Sequence, residues 1–286
     1  MLIKKDLTVR PPEGATYNKE ATLYAESEAE AKSCVLYFHG GGLLYGNRDD
    51  LPDYHIEEMT RAGHIVIAYD YPLAPAVRLD GILPDVIASI NGHGEQLSKC
   101  GFPQDLPYFI WGRSAGAYLV LLAAASGRLA KTPSGILSYY GYGFLVDRWY
   151  EQKSHYYNSL PAVPESCLDQ IPPEPHCVGE LETHYSVYVY ARQQGRWKDL
   201  IYSGREKYFF IDYSLRLKDR LGAPLFCTHS IQDNDVPFAE FNALCAKYPA
   251  EKMIAASSEH DFDRDTDDPF TREVLAKTIR FMEEHL

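Results

Sequence analysis

Short, almost uninterrupted apolar runs set the terms on which this chain can fold. Ser33–Phe38, His64–Tyr69, Tyr108–Trp111, Gly135–Tyr140 and Pro224–Thr228 are rich in β-branched and aromatic residues, with little polar alternation. A strand with one wet face alternates apolar and polar side chains, whereas a strand covered on both faces does not need to. Stretches with helical spacing separate the runs, near 52–62, 81–98, 116–130, 237–248 and 269–285. That rhythm predicts an α/β protein: a mostly parallel central sheet with helices on both faces. Lys252–Ser257 is a weaker sixth run, and Leu2 to about Glu26 is expected to add an antiparallel hairpin at the sheet edge. The 286 residues suffice for one large domain, or for one domain carrying an insertion.

The rhythm breaks between residues 144 and 222. Pro161, Pro164, Pro172, Pro173 and Pro175 lie here, followed by the tyrosine-rich Tyr185-Ser186-Val187-Tyr188-Val189-Tyr190. A structureless loop of this length does not belong in a compact domain. The expectation is a mainly helical cap inserted over one end of the sheet, with residues 1–143 and 223–286 forming the core. Its aromatics are expected to pack as a small core of the cap. Among 22 tyrosines some should nonetheless line a pocket, since the ring gives apolar area and the hydroxyl orients polar groups. Arg192, Arg196 and Arg205 are expected at the solvated surface.

The chemistry is concentrated where strands end. Gly112-Arg113-Ser114-Ala115-Gly116 follows Tyr108–Trp111 and precedes the apolar Ala117–Ala125. A nucleophile displayed on a sharp strand-to-helix turn needs small neighbours, because the turn is crowded and strained. Alone, this pattern could equally be a glycine-flanked turn. His39-Gly40-Gly41-Gly42, directly after Phe38, adds a glycine loop whose backbone N–H groups can approach a substrate oxygen. A base and an orienting acid are then needed. His260 follows the last strand candidate and precedes the last helix, and Asp233 follows the run ending at Thr228. Asp235, two residues on, is the competing acid. The order Ser114, Asp233, His260 is the order that a strand–elbow–helix hydrolase uses.

With Asp70-Tyr71-Pro72-Leu73-Ala74-Pro75 added, these segments resemble the hormone-sensitive-lipase-like branch of the α/β hydrolases, a family of serine carboxylesterases with an HGGG loop, a Y-R-L-A-P segment and a G-D-S-A-G elbow. The resemblance implies Ser114 as nucleophile, His260 as general base and Asp233 as the acid that orients it. It also implies oxyanion donors at Gly41, Gly42 and Ala115. Pro72 stands where that branch has arginine, Arg113 where it has the elbow aspartate, and the acid motif lacks the D-P-L form. The elbow also resembles carbohydrate-ester and kynurenine-formamidase-like relatives. For Arg113 a structural role is expected, paired with nearby acids.

The net charge of −12 argues against nucleic acid or an anionic membrane as partner. No run approaches the roughly 18 apolar residues of a membrane span, and Met1–Asp6 lacks the apolar run of a secretory signal. Six scattered cysteines without a C-x-x-C pair suit a reducing cytoplasm and give no reason to expect zinc. Asp261, Asp263, Asp265, Asp267 and Asp268 alternate as in a calcium loop, but the sixth and twelfth positions are Thr266 and Arg272, not glycine and glutamate. A solvated acidic loop is expected instead. No cofactor or metal is implied. The expected activity is hydrolysis of a small or medium-sized carboxylic ester. An amidase, formamidase, peptidase or acyltransferase could use the same three groups, and a ligand-binding protein on this scaffold is a reading of another class.

Overall fold

The apolar runs pair edge to edge. In the computed structural model, which describes residues 1–26 and 31–286, eight strands form one sheet: β1 (Leu2–Val9), β2 (Lys19–Glu26), β3 (Ser33–Phe38), β4 (His64–Tyr69), β5 (Tyr108–Arg113), β6 (Gly135–Tyr139), β7 (Leu225–Ser230) and β8 (Ala250–Ala255). Their order is β1-β2-β4-β3-β5-β6-β7-β8. The first hairpin joins the edge antiparallel, and every later pairing is parallel. All residues of β3 to β7 are buried. β8, at the far edge, is mostly half-buried or exposed, which is why its run reads weakly in the sequence.

Alternate residues of the inner strands feed two separate cores. On one face Cys34, Leu36 and Phe38 of β3 meet Ile82, Val86 and Ile90 of α2 (Leu79–Lys99) and Leu119 of α3 (Ala115–Ala125). On the other, Val35 and Tyr37 meet Ile56 and Met59 of α1 (Asp53–Arg61) and Phe281 of α9 (Pro269–Glu284). α3 is buried over nearly its whole surface, so its sequence is apolar all round and lacks a polar face.

The segment between β6 and β7 carries four short helices: α4 (His155–Ser159), α5 (Leu181–Gln194), α6 (Trp197–Ile201) and α7 (Glu206–Asp212). Its aromatics, Trp149, Tyr150, Trp197 and Phe209 among them, join the core on the α2/α3 face and do not form a separate one. Each such ring buries about 150–250 Å², worth about 4–6 kcal/mol of transfer free energy before chain entropy is subtracted. A fully buried carboxylate anchors the start of the segment. Glu240, in the first turn of α8 (Phe238–Lys247), accepts from the backbone N–H groups of Gly143, Phe144 and Val146 and from Trp149 Nε1, at 2.6–3.1 Å. Among the described residues, no helix is long and apolar enough to cross a membrane.

Candidate active site

β5 runs into α3 through Ser114, whose φ of +51° is unfavourable for a residue with a side chain. The turn is tied down by Ser114 N–H donating to Tyr139 O (2.9 Å) and by Tyr118 N–H donating to Ser114 O (3.0 Å). The flanking glycines answer to backbone crowding. A Cβ on Gly112 would stand 2.2 Å from Gly116 C, and one on Gly116 only 2.0 Å from Phe38 O. That second contact presses the start of α3 against the end of β3, where the glycine loop begins.

The loop is shaped from behind. Tyr71 stacks on His39 at 4.2 Å, and its hydroxyl donates to the carbonyls of His39 and Gly40, both at 3.0 Å. Asp70, next in chain, accepts from the Arg48 backbone and guanidinium. Gly41 and Gly42 adopt φ of +94° and +59°, and the loop passes so close that a Cβ on Gly40 would lie 3.4 Å from Ser114 Cβ. The backbone N–H groups of Gly41, Gly42 and Ala115 find no acceptor among the described residues.

Ser114 Oγ lies 2.8 Å from His260 Nε2, and His260 Nδ1 lies 2.7 Å from Asp233 Oδ2. Facing a carboxylate, Nδ1 carries the proton and donates it, which leaves Nε2 to accept from the serine hydroxyl. The carboxylate itself is held on all sides. Asp233 Oδ1 accepts from the N–H groups of Asp235 (2.8 Å) and Val236 (2.9 Å), and Oδ2 also lies 3.2 Å from His229 Nε2. Burial alone would raise the Asp233 carboxyl, but the charge of His260 and the hydrogen bonds from His229 and His260 hold it well below the usual carboxylate range. Burial likewise opposes charge on His260. Asp233, with lesser help from Asp235 and Asp261, overcomes it and raises the imidazole to about 9.

The competing acid has other partners. Asp235 accepts from Tyr188 Oη (2.7 and 2.9 Å) and from Arg192 Nε (3.1 Å), while Arg192 Nη2 donates to its backbone carbonyl. Arg192 is therefore not at the surface as its sequence suggested. It lies on the inward face of α5, 3% exposed, with its guanidinium over Trp149 at 4.6 Å. A charged residue in that position is retained because a carboxylate and an aromatic face replace its water. The acidic run after His260 is corrected at one position for the same reason. Asp263 is fully buried, accepting from Arg113 Nη2 (2.7 Å) and Tyr140 Oη (2.8 Å), with His55 Nε2 3.2 Å away. The rest of the run is exposed or half-buried.

Ser114, His260 and the glycine loop face a cavity of about 740 Å³, also lined by Tyr45, Tyr157, Tyr185 and Tyr188. No group of three or more metal-ligating side chains converges among the described residues.

The chain is similar to known proteins. A family described as having the α/β-hydrolase fold matches residues 35–170. An α/β-hydrolase superfamily protein from Enterococcus faecalis superposes with a TM-score of 0.77 at 26% identity, covering 99% of both chains. The chain has the α/β-hydrolase fold. A solved protein of unknown function from Staphylococcus aureus subsp. aureus Mu50 is similar at 26% identity and a TM-score of 0.85, covering 98% of both chains. Lipase 2 of Moraxella sp. (strain TA144) is 28% identical over 119 residues, 42% of this chain and 26% of that protein. The curated relatives are longer proteins, of which this chain spans between 3% and 26%.

His229 is a residue beside Asp233 that sequence reasoning missed. It ends the buried run of β7, where nothing marks it except that an imidazole there needs a partner. Its Nε2 lies 3.0 Å from Val236 O as well as close to Asp233, so that nitrogen carries the proton and donates.

Proposed function

We propose that the chain is a serine hydrolase that cleaves carboxylic esters of small or medium-sized substrates through an acyl-enzyme. The observation that carries this reading is the unbroken line Asp233–His260–Ser114, with contacts of 2.7 and 2.8 Å, ending on a cavity. His260 Nε2 takes the Ser114 proton as Oγ attacks the ester carbonyl, and Asp233 holds the imidazole in the tautomer that can do so. Gly41, Gly42 and Ala115 offer N–H groups to the oxygen that becomes negative, and each such donor is worth about 2.7–4 kcal/mol of barrier in comparable sites. His260 then returns its proton to the leaving alkoxide. Water enters and is deprotonated by the same nitrogen as it attacks the acyl carbonyl; the Ser114 Oγ–acyl bond then breaks, Oγ recovers the proton from His260, and the acid leaves. Residues 144–222 serve as the cap that shapes the cavity. A reducing, cytoplasmic setting fits the six unlinked thiols.

Ser114→Ala is expected to abolish hydrolysis of p-nitrophenyl acetate while leaving the circular dichroism spectrum unchanged, and to abolish labelling by a fluorophosphonate. Undiminished turnover in that variant would overturn the assignment. A panel of matched esters and anilides then measures how far the same groups extend to amides.

A further inference from the structure

We infer that the ester presented to Ser114 carries a positive charge, an amine or quaternary ammonium group seated against the tyrosine wall of the cavity. This rests on the serine-hydrolase reading above and goes on to name its substrate class.

The first observation is a charge imbalance. Seven carboxylates line the cavity: Asp49, Asp50, Glu180, Glu182, Asp235, Glu259 and Asp261. Three cationic groups line it, Arg113, Arg264 and His260, the last held by Asp233, and all are engaged. Arg113 pairs with buried Asp263, and Arg264 lies between Asp50 (3.3 Å) and Asp261 (2.5 Å). Asp235 is matched by Arg192 from behind the wall. Glu180, Glu182 and Glu259 have no cationic partner among the described residues, and Asp49 meets only Lys4, at 3.8 Å. These unmatched groups stand at the exposed mouth, where screening within about 8 Å weakens but does not remove their pull on an approaching cation.

The second observation is independent of charge. Tyr156, Tyr157, Tyr188, Tyr45 and Tyr185 form one continuous aromatic wall, with successive ring centroids 5.1, 5.5, 5.7 and 5.3 Å apart. The hydroxyls of Tyr45, Tyr157 and Tyr185 have no protein partner among the described residues, unlike that of Tyr188, which is spent on Asp235. Burial pushes the Tyr45 and Tyr157 phenols far above their ordinary range, so the wall presents neutral rings and free hydroxyl dipoles. A tyrosine face attracts an ammonium by its quadrupole, by a factor of about 2 to 30 in binding depending on how dry the contact is. A long acyl chain would leave those hydroxyls unpaired, and an anionic substrate would meet the acidic mouth. A neutral sugar ester could use the same rings and acceptors, but it would gain nothing from the unmatched carboxylates.

The test uses the full chain hydrolysing p-nitrophenyl acetate, with choline and its uncharged carbon isostere 3,3-dimethyl-1-butanol as competitive inhibitors. Choline is expected to bind at least tenfold more tightly in dilute buffer. That ratio should contract in 0.5 M sodium chloride, and again in the Glu180→Gln/Glu182→Gln/Glu259→Gln variant and in Tyr45→Leu. Equal inhibition by the two alcohols, or tighter binding of the neutral one or of a free hexose, overturns the inference while Ser114-dependent hydrolysis stands. Absence of hydrolysis together with absence of fluorophosphonate labelling at Ser114 overturns the hydrolase reading, and the substrate class falls with it.

Discussion

Replacing Arg113 by methionine isolates the ion pair that joins the two halves of the site. Arg113 directly precedes Ser114 in chain and Asp263 follows His260 by three residues, so their 2.7 Å contact ties the elbow to the histidine loop. The side chains are 2% and 0% exposed. Arg113→Met removes the cation and leaves the Asp263 carboxylate in the interior with Tyr140 and His55. Breaking a buried pair from one side costs about 3–5 kcal/mol, because the remaining charge is no longer compensated. At about 2–4 °C per kcal/mol for a domain of this size, the melting temperature should fall by roughly 6–20 °C. Removing both charges in Arg113→Met/Asp263→Leu should recover more than half of the loss, since no lone charge remains. Urea denaturation followed by tryptophan fluorescence, on wild type, both single variants and the double variant, gives the cycle directly. The pH dependence has a definite sign. Burial works against the Asp263 carboxyl, but Arg113 and then His55 hold it well below its usual value. Its contribution is therefore complete above about pH 4, the unfolded value, and is lost only as pH falls through the lower folded one. The wild-type advantage over Asp263→Asn should be flat from pH 5 to 8 and shrink in stronger acid. A loss under about 1 kcal/mol for Arg113→Met, or a double variant no more stable than the worse single one, would refute this account.

Other outcomes follow from the same geometry. His229→Phe keeps a ring in place but removes the N–H facing Asp233 and Val236 O. Hydrogen bonds to charged groups contribute about 1.5–3 kcal/mol, so kcat should drop roughly 10- to 100-fold with KM little changed and the fold retained, read by steady-state kinetics. With His260 raised to about 9, the imidazole is protonated and unable to accept the serine proton at lower pH. The kcat/KM profile should therefore climb to a plateau only above about pH 9. Asp261→Asn removes one of the charges that raise His260 and should move that limb to lower pH. Gly116→Ala places a methyl group 2.0 Å from Phe38 O. The clash is with backbone and cannot be relieved by a rotamer change, so soluble expression or the melting temperature should fall sharply, whereas Gly92→Ala, with nothing within 4 Å, should be nearly neutral.

The sheet was legible because strands covered on both faces need apolar residues at every position, and β3 to β7 have them. The line of Ser114, Asp233 and His260 was legible because each stands just past a strand, where sequence position fixes spatial position. What escaped is of another kind. Arg192 looks solvated in the sequence because arginine usually is. Its burial depends on Asp235, 43 residues further along, which nothing local announces. Asp263 hides among acids that do face water, and only Arg113, 150 residues away, sets it apart. His229 has no motif at all. Local pattern reports how a segment meets solvent, and a buried charge is explained by a partner that the pattern does not contain.

The attachment of α5 and α6 also bears on how a substrate enters. Trp197 Nε1 donates to Gly42 O at 2.8 Å, and Arg192 holds both the side chain and the backbone of Asp235. Swinging this segment outward would break the Arg192–Asp235 pair and the Trp197–Gly42 hydrogen bond together, and pull on the glycine loop beside Ser114. On the proposed hydrolase reading, these ties predict a doorway of fixed aperture whose frame selects by size. Turnover in such a molecule should be insensitive to solvent viscosity beyond simple diffusion, and a ligand too wide for the frame should be excluded outright instead of being admitted slowly.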